Sequence, residues 1–212
     1  MKKLILVTLV VLLSGCQSAY YAAWEKVGVE KRDILIDRVE DAKESQEDAQ
    51  LQFSSALDEF SQLINFNGGE LQGIYEQLKD QFEASEDSAA SVTARIDKVE
   101  SVAEALFDEW QQELQKYTNA TLKRDSQRKL KDTQRRYQSL LNAMRKAESK
   151  MDPVLSALSD NVLYLKHNLN ASAIGALHGE FNGVKKEINR LVSEMNKAIA
   201  ESNSFISSMK SQ

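Results

Sequence analysis

The sequence predicts an all-α fold: an elongated antiparallel bundle of four long helices with coiled-coil-like heptad seams. Three observations lead there. Apolar residues recur in alternating steps of three and four from Leu35 to Met209, the spacing that keeps one stripe of a helix against its partners. Chain-reversal signals fall near Asn67, Asn119 and Asn170, at roughly even intervals. One proline, 28% charged residues and 42% hydrophobic residues in periodic array suit helices that bury one face, and exclude a disordered chain.

The first helical stretch covers residues 19–64. Its seam is Leu35, Val39, Ala42, Gln46, Ala49, Phe53, Ala56, Phe60 and Leu63. It stops at Asn65-Phe66-Asn67-Gly68-Gly69, where the glycines supply the left-handed conformations that end a helix. The second stretch covers residues 70–117, with Leu71, Tyr75, Leu78, Phe82, Ser85, Ala89, Val92, Ile96, Val99, Ala103, Leu106 and Trp110 on its seam. Folding the pair back at Asn67 brings Ala42, Gln46 and Ala49 to Ser85 and Ala89. Small residues thus meet at mid-hairpin and large ones fill the layers on either side.

Tyr117-Thr118-Asn119-Ala120-Thr121 predicts the next break, with Asn119 ending one helix and Thr121 capping the following one. The third stretch covers residues 122–169. Leu130, Thr133, Tyr137, Leu140, Met144, Ala147, Met151, Val154 and Leu158 hold the alternation. Val162 then arrives after a step of four where three is due, which locally unwinds the seam. Pro153 lies just upstream, so a kink or short interruption is expected there; Leu165 and Leu169 resume the pattern. The fourth stretch covers residues 171–209, with Ile174, Leu177, Phe181, Val184, Ile188, Leu191, Met195, Ala198, Ser202, Phe205 and Met209 on its seam. Asn119-Ala120-Thr121 and Asn170-Ala171-Ser172 match a glycosylation sequon; at these reversals they read as turn chemistry.

The N-terminus has a different character. Lys2 and Lys3 precede the run Leu4–Leu13, which is the length of a signal-peptide core and too short to span a bilayer. Ser14-Gly15-Cys16 follows directly. Charge, apolar core, small residues and cysteine in that order match a bacterial lipoprotein signal, in which residues 1–15 are cleaved and Cys16 is acylated through its sulfur. Cys16 is the sole cysteine, so no disulfide within the chain competes for it. Residues 16–212 then form the helical bundle domain. Stable anchoring takes more than one acyl chain, and a lipoprotein cysteine carries two or three. Gln17, in place of the Asp that favours inner-membrane retention, directs the expectation to the outer membrane, facing the periplasm. Tyr20, Tyr21 and Trp24 follow; they suit either the headgroup level of a membrane or the first packed turns of a helix. An up-down-up-down path puts the acylated end, the Asn119 turn and the C-terminus together near the membrane, with Gly68-Gly69 and Asn170 at the far tip.

Removing the leader removes Lys2 and Lys3 and leaves 25 basic against 32 acidic side chains, a net of −7. An acidic, exported chain is a poor nucleic-acid binder. Against that background Lys123, Arg124, Arg128, Lys129, Lys131, Arg135 and Arg136 form a dense basic stretch, with only Asp125 and Asp132 among them. It suits lipid headgroups, or pairing with acidic faces at Glu40, Glu44, Glu47, Glu104 and Asp108. Gly175, Gly179 and Gly183 recur every fourth residue, off the seam, at a cost of about 1 kcal/mol each relative to Ala. A smooth outer stripe of this kind admits a helix from a second copy or another protein, or accommodates a wrapping neighbour or local flexibility. His167 and His178 lack ligand spacing, and Asp108-Glu109 beside Trp110 reads as helix surface next to a core aromatic. No phosphate loop, nucleophile elbow or metal motif occurs, so no catalytic residue, metal or cofactor is expected.

Leu57–Leu71, Val99–Leu114 and Pro153–Leu177 together resemble a family of uncharacterised bacterial lipoproteins of unknown function. The resemblance spans essentially the whole mature chain. It implies an envelope location and a helical fold, and carries no activity or catalytic residues with it. The expected function is a non-enzymatic envelope scaffold acting through helix surfaces on envelope proteins. The alternative is a lipid-surface-binding bundle that uses residues 123–136.

Overall fold

The computed structural model describes residue 28, residues 30–65 and residues 71–211. Cys16, the rest of the leader, Tyr20, Tyr21, Trp24 and the Gly68-Gly69 turn lie outside the described residues. Those described are helical almost throughout, in five segments: α1 Lys31–Ile64, α2 Leu71–Glu113, α3 Ala120–Glu148, α4 Met151–His167 and α5 Ala171–Lys210. Four columns result, because α3 and α4 follow one another along the same side. Each column packs on two neighbours: α1 on α2 and α5, and α3–α4 on α2 and α5. The bundle therefore closes in chain order, with successive columns antiparallel.

The heptad seams become the core. All nine seam residues of α1 are buried, Val39, Ala42, Phe53, Ala56 and Phe60 completely. The mid-hairpin register follows the small-against-small expectation. Ser45 and Ser91 hydroxyls meet at 3.1 Å, and Gln52 Nε2 donates to Gln81 Oε1 at 2.9 Å. Aromatic contacts close both halves. Phe60 meets Phe181 edge-on at 5.7 Å, while Phe107, Tyr137 and Phe205 form an edge-to-face series at 5.3 and 6.5 Å.

Several boundaries differ from the sequence reading. A single helix over residues 19–64 is not formed. Gly28 has φ +82° and Glu30 is extended, so the helix begins at Lys31. A left-handed residue without a Cβ breaks the run at little cost. The second helix stops at Glu113, and the third is capped by Asn119, not Thr121. The Asn119 Oδ1 accepts from the amides of Thr121 and Leu122 at 2.9 and 3.2 Å, filling the N-cap role outright. The reversal there is complete: Trp110 Nε1 on α2 donates to Ser126 Oγ on α3 at 2.8 Å.

The interruption expected near Pro153 falls at Ser149-Lys150, so the third stretch is two helices. Pro153 sits in the first turn of α4, where its missing N–H has no partner to lose. Asn161, three residues after Leu158, takes the seat that the alternation reserves. It is buried, and its amide donates to Ala157 O at 2.6 Å. Leu169 does not resume the seam. The helix ends at His167, so Leu169 lies in the connection to α5 and is 38% exposed. The Asn170 side chain caps α5 by accepting from the Ala173 amide at 3.2 Å.

Candidate functional site

The end of the bundle where α1 begins gathers the features of interest. Lys31 Nζ pairs with the Glu109 carboxylate at 3.1 Å, and the Arg32 guanidinium donates to the Met209 carbonyl. Together with Trp110 and Lys129 these residues line a cleft of about 320 Å³. The start of α1, the α2–α3 reversal and the C-terminal end thus share one end of the bundle.

Beyond that cleft, among the described residues, only the α2–α3 turn continues. Met209, next to the last residue of α5, stands at the level of Lys129. The preceding part of α3, about 14 Å at 1.5 Å per residue, runs past it. Tyr117 and Leu122 are exposed at this tip, whereas Leu114 folds inward and is buried.

Part of the basic stretch is paired within its own helix. Arg128 pairs with Asp125, Lys129 with Asp125 at 3.5 Å and Arg135 with Asp132 at 3.0 Å, all within α3. None of the seven cations bridges to Glu40, Glu44, Glu47, Glu104 or Asp108 among the described residues. Glu40 instead receives Lys210 at 3.0 Å. Lys123 donates to the neutral Gln115 Oε1 at 3.5 Å. Arg124, Lys131 and Arg136 carry no ion pair among the described residues, and Lys131 and Arg136 are exposed further along α3.

Gly175, Gly179 and Gly183 lie exposed on the outer face of α5. A Cβ built on any of them meets nothing within 4 Å, so among the described residues no neighbour wraps over the stripe. His167 and His178 are both exposed and on separate helices. Among the described residues no group of His, Cys, Asp or Glu is arranged to hold a metal ion. Trp110 and Glu109 serve the hydrogen bond and ion pair already described, which uses them structurally.

Three polar features were not legible in the sequence. Arg145 near the end of α3 holds three carboxylates: Asp97 at 2.6 Å and Glu100 at 2.6 Å on α2, and Glu148 at 3.0 Å on its own helix. Burial works against its charge, but the hydrogen bonds it donates to Glu100, Asp97 and Glu148 outweigh it and hold the guanidinium above its ordinary value. Tyr137 is buried with its hydroxyl unpartnered, and burial pushes its ionisation well up, with Glu100 and Glu104 adding to the shift. Gln46 is completely buried, and neither its amide nitrogen nor its oxygen has a partner. Beside the α3–α4 break an open groove of about 640 Å³ has Ala89, Met151 and Leu155 on its floor and Glu86, Asp87 and Asp152 at its rim. Glu148, also in its lining, is held by Arg145.

Residues 20–209 match the model of the family described as Protein of unknown function (DUF2959). The chain belongs to that family. Neither the curated proteins nor the solved structures include a match to it. The DUF2959 match covers the whole described bundle, and its description adds no activity to the geometry. No described helix is long and apolar enough to cross a membrane.

Proposed function

We propose that this DUF2959 protein is an envelope lipoprotein, anchored through acylated Cys16 and acting as a non-enzymatic scaffold. The observation that carries the reading is the leader: a charged start, a short apolar core and small residues ending at the sole cysteine. The fold supports it, because the start of α1 stands at one end of a long rod. An anchor upstream of Glu30 holds that end and leaves the opposite end free. With Gln17 after the cysteine, the membrane is the outer one and the rod faces the periplasm.

The scaffold reading rests on what the rod displays. At the free end Leu163, Tyr164 and Leu169 are exposed, and the glycine stripe of α5 leaves an uncovered path along the adjacent face. These features suit protein contacts better than chemistry. Crosslinking of intact cells followed by mass spectrometry tests this. The reading expects discrete crosslinks from an envelope protein, or from a second copy, to α4 and the first half of α5. Absence of any specific partner, or crosslinks only to cytoplasmic proteins, contradicts it.

A further inference from the structure

We propose that the protruding α2–α3 turn is a membrane-surface contact for anionic lipid headgroups. Tyr117 and Leu122 enter the interface, and Lys116, Lys123 and Arg124 meet the negative charge. The proposal rests on the anchoring reading above and goes beyond it by assigning a second, reversible attachment at a named site.

Four observations converge on this turn. Leu122 is 56% exposed and Tyr117 41%, and both stand where no other column of the bundle reaches among the described residues. The Asn119 cap fixes the backbone between them, so the two side chains are displayed from an ordered tip. From Lys116 to Arg124 the chain carries three cations and no acidic residue. Among the described residues those three cations carry no ion pair, whereas Arg128 and Lys129 share Asp125 and Arg135 pairs with Asp132. Lastly, the turn lies at the end of the rod where α1 begins.

The chemistry of the tip matches one surface. An amphipathic tyrosine suits the headgroup level, a leucine the acyl boundary, and lysine or arginine the negative potential of anionic lipid. With no membrane-spanning helix among the described residues, the contact lies on the surface. Such a small patch binds weakly in free solution. The chain between Cys16 and Glu30 spans at most about 50 Å when extended, so an acylated Cys16 keeps the turn at a high effective concentration near the bilayer. The consequence is an end-on stance. Of the cations along the shaft of α3, Arg128, Lys129 and Arg135 are paired within their own helix, which weakens the pull that would lay the shaft flat.

The test uses the full acylated chain reconstituted in vesicles of phosphatidylcholine, with or without phosphatidylglycerol. A fluorophore is placed at Thr121→Cys near the turn or at Ser172→Cys at the opposite end. Lipid-borne headgroup quenchers report proximity. The position-121 label should be quenched in vesicles with phosphatidylglycerol, and released by high salt or by phosphatidylcholine alone. Each cation near an anionic surface multiplies the contact roughly fivefold, so Lys116→Gln, Lys123→Gln and Arg124→Gln combined should weaken it about 100-fold. Leu122→Ser should weaken it in the vesicles that contain phosphatidylglycerol. All four positions are at the surface, and unchanged helicity checks that the fold survives. The position-172 label should remain unquenched throughout. A position-121 label that is never quenched, quenching that ignores the neutralised cations, or equal quenching at position 172 overturns the proposal. Intact mass of the same preparation reports acylation separately, so a failed anchor and an idle turn are told apart.

Discussion

At the near end of the rod, Tyr117 and Leu122 stand among Lys116, Lys123 and Arg124. At the far end, Leu163, Tyr164 and Leu169 stand among Asp160, Lys166, His167 and Glu180. Apolar exposure is similar at both, and both turns are ordered by an asparagine cap. Their charge differs: from Lys116 to Arg124 the near turn carries cations and no acidic residue, whereas both signs are interspersed at the far end. A single-sign rim selects a surface of uniform opposite charge. A mixed rim selects a partner with its own pattern of charges, which is the character of protein interfaces. The same packing logic thus yields two ends fitted to different neighbours.

That comparison requires one stiff body between the ends, and the largest predicted effects test it. Phe205→Ala near the end where α1 begins and Phe60→Ala toward the opposite end each empty a fully packed seat. Each should cost about 3–5 kcal/mol in denaturant unfolding and lower a single cooperative transition. If either variant splits the transition in two, the ends unfold separately and the rod does not hold them in fixed relation.

The layer between the ends provides the next test. Gln46 buries an amide with no partner, in a region otherwise lined by small residues. Gln46→Leu should stabilise the bundle by about 1–3 kcal/mol, read as an upward shift of the denaturant midpoint. A loss of stability would mean that the amide has polar company in solution.

Changes at the two turns are smaller and local. Asn119→Ala removes the cap of α3 and should cost about 1 kcal/mol. Hydrogen exchange of the Thr121 and Leu122 amides should rise while the far end is unaffected. Gly179→Ala should stabilise by about 1 kcal/mol, because open space receives the methyl group. If the stripe seats a partner helix, the same variant loses that crosslink while gaining thermal stability.

The smallest effect is electrostatic. Hydrogen bonds from Lys197 and Lys146 hold the Glu194 carboxyl below its ordinary value, tying α3 to α5. A depressed carboxyl contributes stability that is complete above the unfolded value, near 4.5, and is lost as pH falls through the folded one. The Tm gap between the parent and Glu194→Gln should therefore be largest near neutrality and close in acid.

Much of the fold was legible because it is periodic. Positions such as Val39, Phe53, Leu140 and Met195 announce burial through spacing alone, and Asn170 announces a chain reversal through its residue type. Gly28 was not legible as a break, since a lone glycine inside a helical pattern is compatible with continuing. Asn161 was passed over because its polarity hid its register, although its amide is satisfied locally by Ala157. Arg145 was invisible because its partners come largely from another helix, at a distance that only the α2–α3 register sets. The basic stretch was legible as composition but not as arrangement. Only the folded chain separates the cations paired with Asp125 and Asp132 from those left open at the turn.

The central claim is that Cys16 anchors the near end of this rod. Intact mass and membrane fractionation of the wild-type chain and Cys16→Ser, expressed in the same cells, test it most directly. The account predicts a mature protein beginning at Cys16, carrying at least two acyl chains and sedimenting with the outer membrane, while Cys16→Ser is released. A wild-type chain with its leader intact and Cys16 unmodified, or a serine variant that sediments equally, would contradict it.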